Sequence, residues 1–192
     1  MNELPRTIEC GGKPVTLRRF KSEDIDAMLK FARKLSEHDL LFLGRDLKHR
    51  KVIEAWLAEI EDGFIDSLLA EGPNGVIGTS AVVRDPLGWS GHVGEVRLLV
   101  SPKLRGAGLG RAMLEECFRM ALHRELKKLI ARMTPDQTGA ITLFETMGFR
   151  GEALLKDHVM SRDGQVHDLV MLSHDVSRVA AQMEAFGLHQ SQ

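Results

Sequence analysis

Apolar and polar positions repeat along the chain with two different periods, and each change of period marks a new element. Apolar residues spaced three or four apart predict amphipathic helices over residues 22–35, 51–61, 109–125, 138–147 and 176–185. Apolar runs or alternating patterns predict strands over residues 15–20, 65–70, 76–84, 93–100, 129–133, 149–160 and 166–174. The segment at residues 37–46 is mixed and predicts a loop or a helical turn. Because hairpins are interspersed with strand–helix–strand units, the order predicts a mixed α/β sheet with helices on both faces.

The length of the chain sets how these elements are organised. A chain of 192 residues is the size of one domain and buries enough surface to form a real core. We therefore predict a single domain over residues 1–192. Residues 1–12 are predicted to be loosely ordered, and residues 175–192 to form a C-terminal helix and tail.

Composition argues against several classes of partner. A formal net charge of −1 provides no electrostatic footprint for nucleic acid or an anionic membrane, and no apolar run approaches the ~20 residues that span a bilayer. Trp56, Trp89 and the eight phenylalanines are scattered, which indicates core residues and not a stacking platform for bases. Cys10 and Cys117 form no disulfide framework, and Cys117 falls on the apolar side of a helix, where burial is expected. The first residues lack the features of a signal peptide, so we expect a cytoplasmic protein.

A glycine-rich loop connects the predicted strand at residues 93–100 to the next helix. It reads Arg105-Gly106-Ala107-Gly108-Leu109-Gly110. Such a loop presents unpaired backbone N–H groups at the positive end of a helix dipole, and its glycines let a phosphate approach the main chain. A P-loop is excluded because no lysine follows Gly110, and the dinucleotide fingerprint fails because Arg111 stands where its third glycine belongs. On the loop alone, an anion site and a ligand-free connection are both open.

Two motifs in succession resemble the signatures of a known family. Val100-Ser101-Pro102 followed by the Arg105–Gly110 loop resembles the acetyl-CoA loop of the GNAT N-acetyltransferase superfamily. Farther along, the stretch from Ala140 to Gly148-Phe149 resembles the second signature of the same family. The resemblance implies a GNAT-like fold, a mostly antiparallel mixed sheet of about seven strands that is splayed in the middle. It also implies acetyl-CoA as acyl donor, an amine as acceptor, and no metal.

The resemblance assigns a binding role to both motifs and to the strand before the loop. The diphosphate of CoA is expected on the loop amides, and the pantetheine arm is expected to pair like an extra strand. A backbone N–H near Leu99 or Val100 would polarise the thioester carbonyl. The donor-binding residues implied in this way are Leu98, Leu99, Val100, Arg105, Gly106, Ala107, Gly108, Leu109, Gly110, Arg111, Gln137 and Phe144.

Two positions depart from the second signature. Gln137 stands where the family usually has asparagine, which keeps an amide group. Phe144 stands where the family usually has the tyrosine that protonates the departing CoA thiolate, and the chain contains no tyrosine. Because cysteine-like thiols have a pKa of ~8.5, losing this acid would slow the reaction without abolishing it. Two hypotheses follow: direct acetyl transfer to a primary amine of a small metabolite or protein, and a non-catalytic acyl-CoA sensor.

Glu95 is the first candidate for the general base that deprotonates the amine. It lies on the strand before the glycine loop and shares one face with Arg97 and Leu99. A solvated ion pair between Glu95 and Arg97 explains the same pattern without catalysis.

His158 is the weaker candidate for this role. If Asp163-Gly164 forms a two-residue turn, His158 lies opposite Leu169 and has His167 as its diagonal neighbour. Two imidazoles on one face could titrate near neutral pH, although half-buried surface histidines explain them as well. A metal site is not expected, because no third ligand accompanies them.

The acceptor is expected to bind between residues 25–61 and the closing hairpin, as the resemblance implies. Glu37, Asp39 and Asp46 would suit a cationic acceptor there, and a solvated loop explains them equally well. The sequence leaves the identity of the acceptor open. It also leaves the oligomeric state open, with a homodimer as one option.

Overall fold

The computed structural model describes residues 4–177, which form one eight-stranded sheet with helices packed against it. The strands are β1 (Arg6–Cys10), β2 (Lys13–Arg19), β3 (Ile65–Gly72), β4 (Gly75–Val83), β5 (Val93–Val100), β6 (Lys128–Met133), β7 (Arg150–Met160) and β8 (Val166–Asp175). The helices are α1 (Ile25–Ala32), α2 (Arg50–Glu61), α3 (Leu109–His123) and α4 (Thr138–Thr146). Of the helix predicted at residues 176–185, all but the first two residues lie outside the described range.

The strand order is β1-β2-β3-β4-β5-β6-β8-β7, and β5 and β6 form the parallel pair of an otherwise antiparallel sheet. This confirms the predicted mixed, mostly antiparallel sheet, with one strand more than expected. The additional strand is β1, in the segment predicted to be loosely ordered. Gly11 and Gly12, with φ of 57° and 72°, form a tight turn that pairs β1 with β2. Five residues were too few for the alternation to stand out.

The two faces of the sheet carry different helices and separate cores. Helices α1 and α2 cover one face, where Leu69, Ala81 and Leu99 point into a buried cluster. Helices α3 and α4 cover the other face, against Val82 and Val96. Within the described residues, no helix is long and apolar enough to cross a membrane.

The end of the first predicted helix and the burial of Trp89 need correction, whereas the mixed segment forms a helical turn as predicted. Helix α1 ends at Ala32, because Lys34 N–H donates to the Phe31 carbonyl in a tighter turn that ends the α-helical ladder. The mixed segment contains a 3-10 helix, His38–Leu43. We call residues 37–46 the α1–α2 connection.

Trp89 is not a core residue: its side chain is fully exposed between β4 and β5, whereas Trp56 and Cys117 are buried as predicted.

The closing hairpin forms as predicted, but its register differs. Ser161 N–H donates to the Gln165 carbonyl at 2.9 Å, so three residues form the turn where two were expected. A bulge between Leu155 and Val159 then shifts the strand again, and His167 pairs with Val159. His158 is therefore exposed and out of register with Leu169, and the predicted neighbouring pair of His158 and His167 is wrong.

Candidate active site

Strands β5 and β6 separate partway along the sheet. They pair only from Val93 with Lys128 to Glu95 with Ile130, after which the two strands diverge. This confirms the predicted splay. The gap opens toward the C-terminal ends of both strands, next to the glycine loop.

The backbone of β5 presents hydrogen-bonding groups to this gap. Ser101 N–H donates to the Ile77 carbonyl on the β4 side at 2.8 Å. Because hydrogen bonding alternates along an antiparallel strand, Leu99 also directs its backbone to β4, whereas Leu98 and Val100 direct theirs to the gap. Of the two backbone positions expected to polarise a carbonyl, the geometry therefore favours Val100 over Leu99, and it adds Leu98.

The glycine loop leads from the end of β5 into the first turn of α3. Gly106 and Gly108 have φ of 78° and 87°, and a side chain added at either would meet open space. The first intrahelical bond runs from Ala112 N–H to the Gly108 carbonyl, so the three preceding amides of α3 have no intrahelical partner. A phosphate fits this arrangement because the loop is open and the first amides of α3 lie at the positive end of the helix dipole.

The β1–β2 hairpin packs against the glycine loop and supports it. The Cys10 thiol donates to the Ala107 carbonyl at 3.1 Å. Cys10 and Leu109 belong to one small buried cluster, and Val100 packs against it. Sequence reasoning missed this support because it left the first strand unassigned.

Arg105 and Arg111 flank the loop, and both are exposed. The Arg105 Nη2 atom lies 2.5 Å from Asp39 Oδ1 in the α1–α2 connection, while Arg111 pairs with Glu115 one turn along α3. The glycine loop is thus linked to the segment expected to bind the acceptor. Asp39 is engaged by this cation and is not a free carboxylate.

The two residues that differ from the usual second signature lie at opposite ends of α4. Gln137 directly precedes the first turn of α4 without a side-chain hydrogen bond to the helix, and its side-chain oxygen accepts from Thr134 N–H at 3.3 Å. Phe144 is buried and packs edge-on against Phe149, with ring centroids 4.9 Å apart. Leu143 lies beside Gly110, where an added side chain would approach it to 3.0 Å, so α4 packs closely against the start of α3.

Glu95 lies where β5 and β6 diverge, on the face covered by α1 and α2. Its carboxylate accepts from Arg97 at 3.3–3.4 Å and from Arg132 at 2.8–3.3 Å. Arg97 also lies 5.9 Å above the Trp56 ring. Because both oxygens of Glu95 already accept charged hydrogen bonds, taking a proton from an amine would require breaking one of them. The base role of Glu95 stays a prediction.

A histidine that the sequence did not single out lies at the mouth of the gap. His38 Nε2 is 2.8 Å from Asp136 Oδ2 and 3.2 Å from the Thr134 hydroxyl, just beyond the end of β6. The His167 ring lies edge-on at 5.7 Å. A hydrogen bond from Thr134, together with the contact to His38, lowers the pKa of Asp136 and keeps it a carboxylate. Among residues 4–177, no group of three or more histidine, cysteine, aspartate or glutamate residues could hold a metal ion.

A cleft of about 270 Å³ separates the α1–α2 connection from the closing hairpin. Leu40 and Leu41 line one wall, and Val159 and Met160 line the other. Arg162 closes one end: its N–H donates to Glu37 at 2.6 Å, and its guanidinium pairs with Asp46. Asp46 is therefore neutralised within the protein. Glu37 accepts an uncharged backbone N–H and keeps its negative charge, so its suitability for a cationic acceptor stays a prediction.

An open glycine loop at a helix start, a gap between two strands and a nearby cleft form an arrangement that suits an extended, anionic ligand beside a second molecule. The family model described as Acetyltransferase (GNAT) family matches residues 27–149. The chain therefore belongs to the GNAT acetyltransferase family.

Individual relatives agree with this assignment. A mycothiol acetyltransferase of Acidothermus cellulolyticus is 35% identical over 114 residues, which cover 53% of this chain and 33% of that protein. The chain thus spans about a third of the length of this curated relative. The solved ribosomal-protein-alanine N-acetyltransferase of Brucella melitensis superposes with a TM-score of 0.71 at 24% identity, covering 83% of this chain and 98% of that one. A phosphinothricin acetyltransferase of Sinorhizobium meliloti, solved with AcCoA, has a TM-score of 0.71 at 20% identity, with 84% and 88% covered. At these identities the structures show a shared fold.

Proposed function

We propose that this protein transfers the acetyl group of acetyl-CoA directly to a primary amine. The observation that carries the proposal is the gap between β5 and β6, which ends beside the glycine loop and exposes the backbone of Leu98 and Val100. The family assignment supports it, as does the similarity to a phosphinothricin acetyltransferase solved with AcCoA. The cytoplasmic location and the homodimer stay predictions.

In this proposal the donor is bound mainly by backbone. The amides of the glycine loop hold the diphosphate, with the exception of those of Arg105 and Ala107, which already donate to the carbonyls of Pro102 and Leu104. The pantetheine arm lies in the gap as an extended segment paired with β5. The thioester carbonyl accepts a hydrogen bond from a backbone N–H of Leu98 or Val100, which stabilises the developing oxyanion. Gln137 closes the turn beside the arm, and Phe144 supports α4 from the core.

Direct transfer is favoured over a covalent enzyme intermediate. The chain has two cysteines, Cys10 and Cys117, and both are buried. Burial raises the pKa of Cys117 to about 12, so its thiol is protonated and inert at neutral pH. An amine in the cleft would thus have to attack the thioester itself.

The test is thiol release from acetyl-CoA with a panel of amines. The panel comprises polyamines, lysine peptides with blocked N-termini, peptides with free α-amines, and amino sugars. We expect release above the amine-free background with at least one class, with the acetylated amine identified by mass. Saturable binding of acetyl-CoA without release from any acceptor would contradict catalysis.

The alternative function, a non-catalytic acyl-CoA sensor, is favoured by one observation. Phe144 supplies no proton for a thiolate and is only 3% exposed. The same panel separates the two functions, because a sensor gives a rise in melting temperature with acetyl-CoA but no thiol release.

Asp39→Asn is expected to strengthen acetyl-CoA binding by about 2–5-fold, because it frees Arg105 to face the diphosphate, and exposed ion pairs are worth up to about 1 kcal/mol. Calorimetric titration of acetyl-CoA at low salt measures the change. The gain should shrink at high salt, since screening weakens both contacts.

Asp62→Asn is the matched control for charge. Asp62 is exposed just after α2. The next strand, β3, begins where Ile65 pairs with Val83, at the end of β4 that lies far from the glycine loop. An equal gain in Asp62→Asn would attribute the effect to net charge and contradict the role of the Arg105–Asp39 pair.

A further inference from the structure

His38 lies between the two parts of the site. On one side, it contacts Thr134 directly after β6, at the mouth of the gap proposed for the thioester. On the other side, it follows Glu37, which lines the cleft, and its ring meets that of His167, whose strand partner Val159 also lines the cleft. An acceptor that reaches from the cleft toward the gap would pass this imidazole.

The contacts of His38 fix which nitrogen carries the proton. Nε2 faces the Asp136 carboxylate at 2.8 Å, and an anionic acceptor requires Nε2 to donate. In the neutral ring Nδ1 is then the free acceptor, and no hydrogen bond within residues 4–177 occupies it. The same logic applies wherever a carboxylate orients a histidine base.

We propose that His38, oriented by Asp136, is the group that takes a proton from the acceptor amine. This inference rests on the proposed acetyl transfer to an amine. Asp136 acts as a positioning residue, because it selects the tautomer and stabilises the imidazolium without itself changing protonation.

Every proton of the reaction is accounted for without a tyrosine. The ammonium form of the acceptor gives one proton to His38 Nδ1, and the neutral nitrogen attacks the thioester carbon. A C–N bond forms, the C–S bond breaks, and the second proton on nitrogen passes to the departing thiolate, which leaves as CoA thiol. His38 returns the first proton to solvent through its exposed side, so the products are the amide, the thiol and one released proton.

Charged groups from several elements surround His38. Asp136 faces it from the turn after β6, and Glu37 and Asp39 flank it on its own segment. The Arg162 backbone N–H donates to Glu37, the Arg105 guanidinium pairs with Asp39, and His167 faces the ring from β8. Asp136 is thus the carboxylate in direct contact with the ring, and within residues 4–177 no other cation pairs with it.

The test compares His38→Gln with His123→Gln, a control on the exposed last residue of α3. Glutamine can still donate to Asp136 but cannot accept the proton. With the best alkylamine of the panel we expect kcat of His38→Gln to fall about 10²–10⁴-fold, the range for general base catalysis. The rate of the variant should follow the ionisation of the amine itself, so the acid limb of its pH profile should move to higher pH. The rise in melting temperature with acetyl-CoA should equal that of wild type.

Acceptors of different basicity add a readout that a structural role would not change. An alkylamine has a pKa of ~10.4 and an α-amine a pKa of ~7.7–8.0, so the deficit of His38→Gln should be much smaller for the α-amine. Asp136→Asn should lose less activity than His38→Gln, and Asp136→Glu should recover part of it. Because Asp136 is exposed, both variants should fold.

Three outcomes overturn the proposal. An active wild type whose His38→Gln variant keeps its kcat and pH profile shows that another group takes the proton. A deficit that is equal for both amines at every pH assigns His38 a structural role. No amine-dependent release from wild type overturns the proposed function and this inference together.

Discussion

Replacing Phe149 with alanine is expected to lower the free energy of unfolding by about 3–5 kcal/mol, the cost of removing a buried aromatic side chain. Phe149 is completely buried. Its ring contacts Phe144 at 4.9 Å, Phe118 at 5.9 Å and His174 at 5.3 Å, so the cavity would be lined by rings that are held in place by other contacts. For a chain of this size, the melting temperature should fall by about 6–20 °C.

Thermal and denaturant unfolding of Phe149→Ala and Phe149→Leu measure this prediction. Leucine refills most of the volume, so its loss should be well below that of alanine. Leu154→Ala is the control, because Leu154 is 53% exposed on the neighbouring strand and should change stability by less than about 1 kcal/mol. Equal losses for Phe149→Ala and Leu154→Ala would show that the ring cluster contributes little.

The same residues explain physically why the second signature ends in Gly-Phe. Gly148 has a φ of 92°, the left-handed conformation that ends α4, and an added side chain would lie 3.0 Å from the His174 ring. Phe149 then enters the core between α3, α4 and the sheet. The motif is therefore a helix stop followed by an anchor, and it fixes α4 beside the gap.

Local patterns were sufficient to predict most elements and the position of the glycine loop between β5 and α3. The periods of the helices and strands reflect which face is buried. The loop needs positive φ at two positions, and the sequence shows this need directly because both positions are glycines, Gly106 and Gly108. The β1 strand is the exception, because its alternation extends over only five residues.

The acceptor side could not be predicted, because its contacts join segments far apart in the chain. His38 meets Thr134 across 96 positions, and Arg105 meets Asp39 across 66. Such pairs depend on how the α1–α2 connection crosses the sheet, which no local pattern records. The His158 register failed for a different reason: a three-residue turn and a bulge each shift a strand, and side chains exchange faces at every single-residue shift.

Glu95→Gln is expected to destabilise the protein by about 2–4 kcal/mol, because it leaves two guanidinium groups close together without their shared counter-charge. The side chains of Glu95 and Arg97 are each 13% exposed, and that of Arg132 is 24% exposed, so water screens them only partly. The amide nitrogen of the new glutamine would also point its N–H groups at the N–H groups of the two guanidinium groups. Urea unfolding of the variant and of wild type at neutral pH measures the difference.

Two comparisons distinguish a structural ion network from a free base. Glu152→Gln removes an exposed partner of Lys128 in the same sheet and should cost no more than about 1 kcal/mol. Glu95→Gln combined with Arg132→Gln removes the surplus charge, so the double variant should lose less stability than the sum of the single variants.

If Glu95→Gln instead keeps wild-type stability but loses amine-dependent thiol release, the carboxylate is not needed to hold β5 and β6 together, and Glu95 becomes the stronger candidate for the base. A large loss of stability in Glu95→Gln, together with an acid limb that moves to higher pH in His38→Gln, would assign the two roles separately: Glu95 holds the strands where they diverge, and His38 takes the proton at the mouth of the gap.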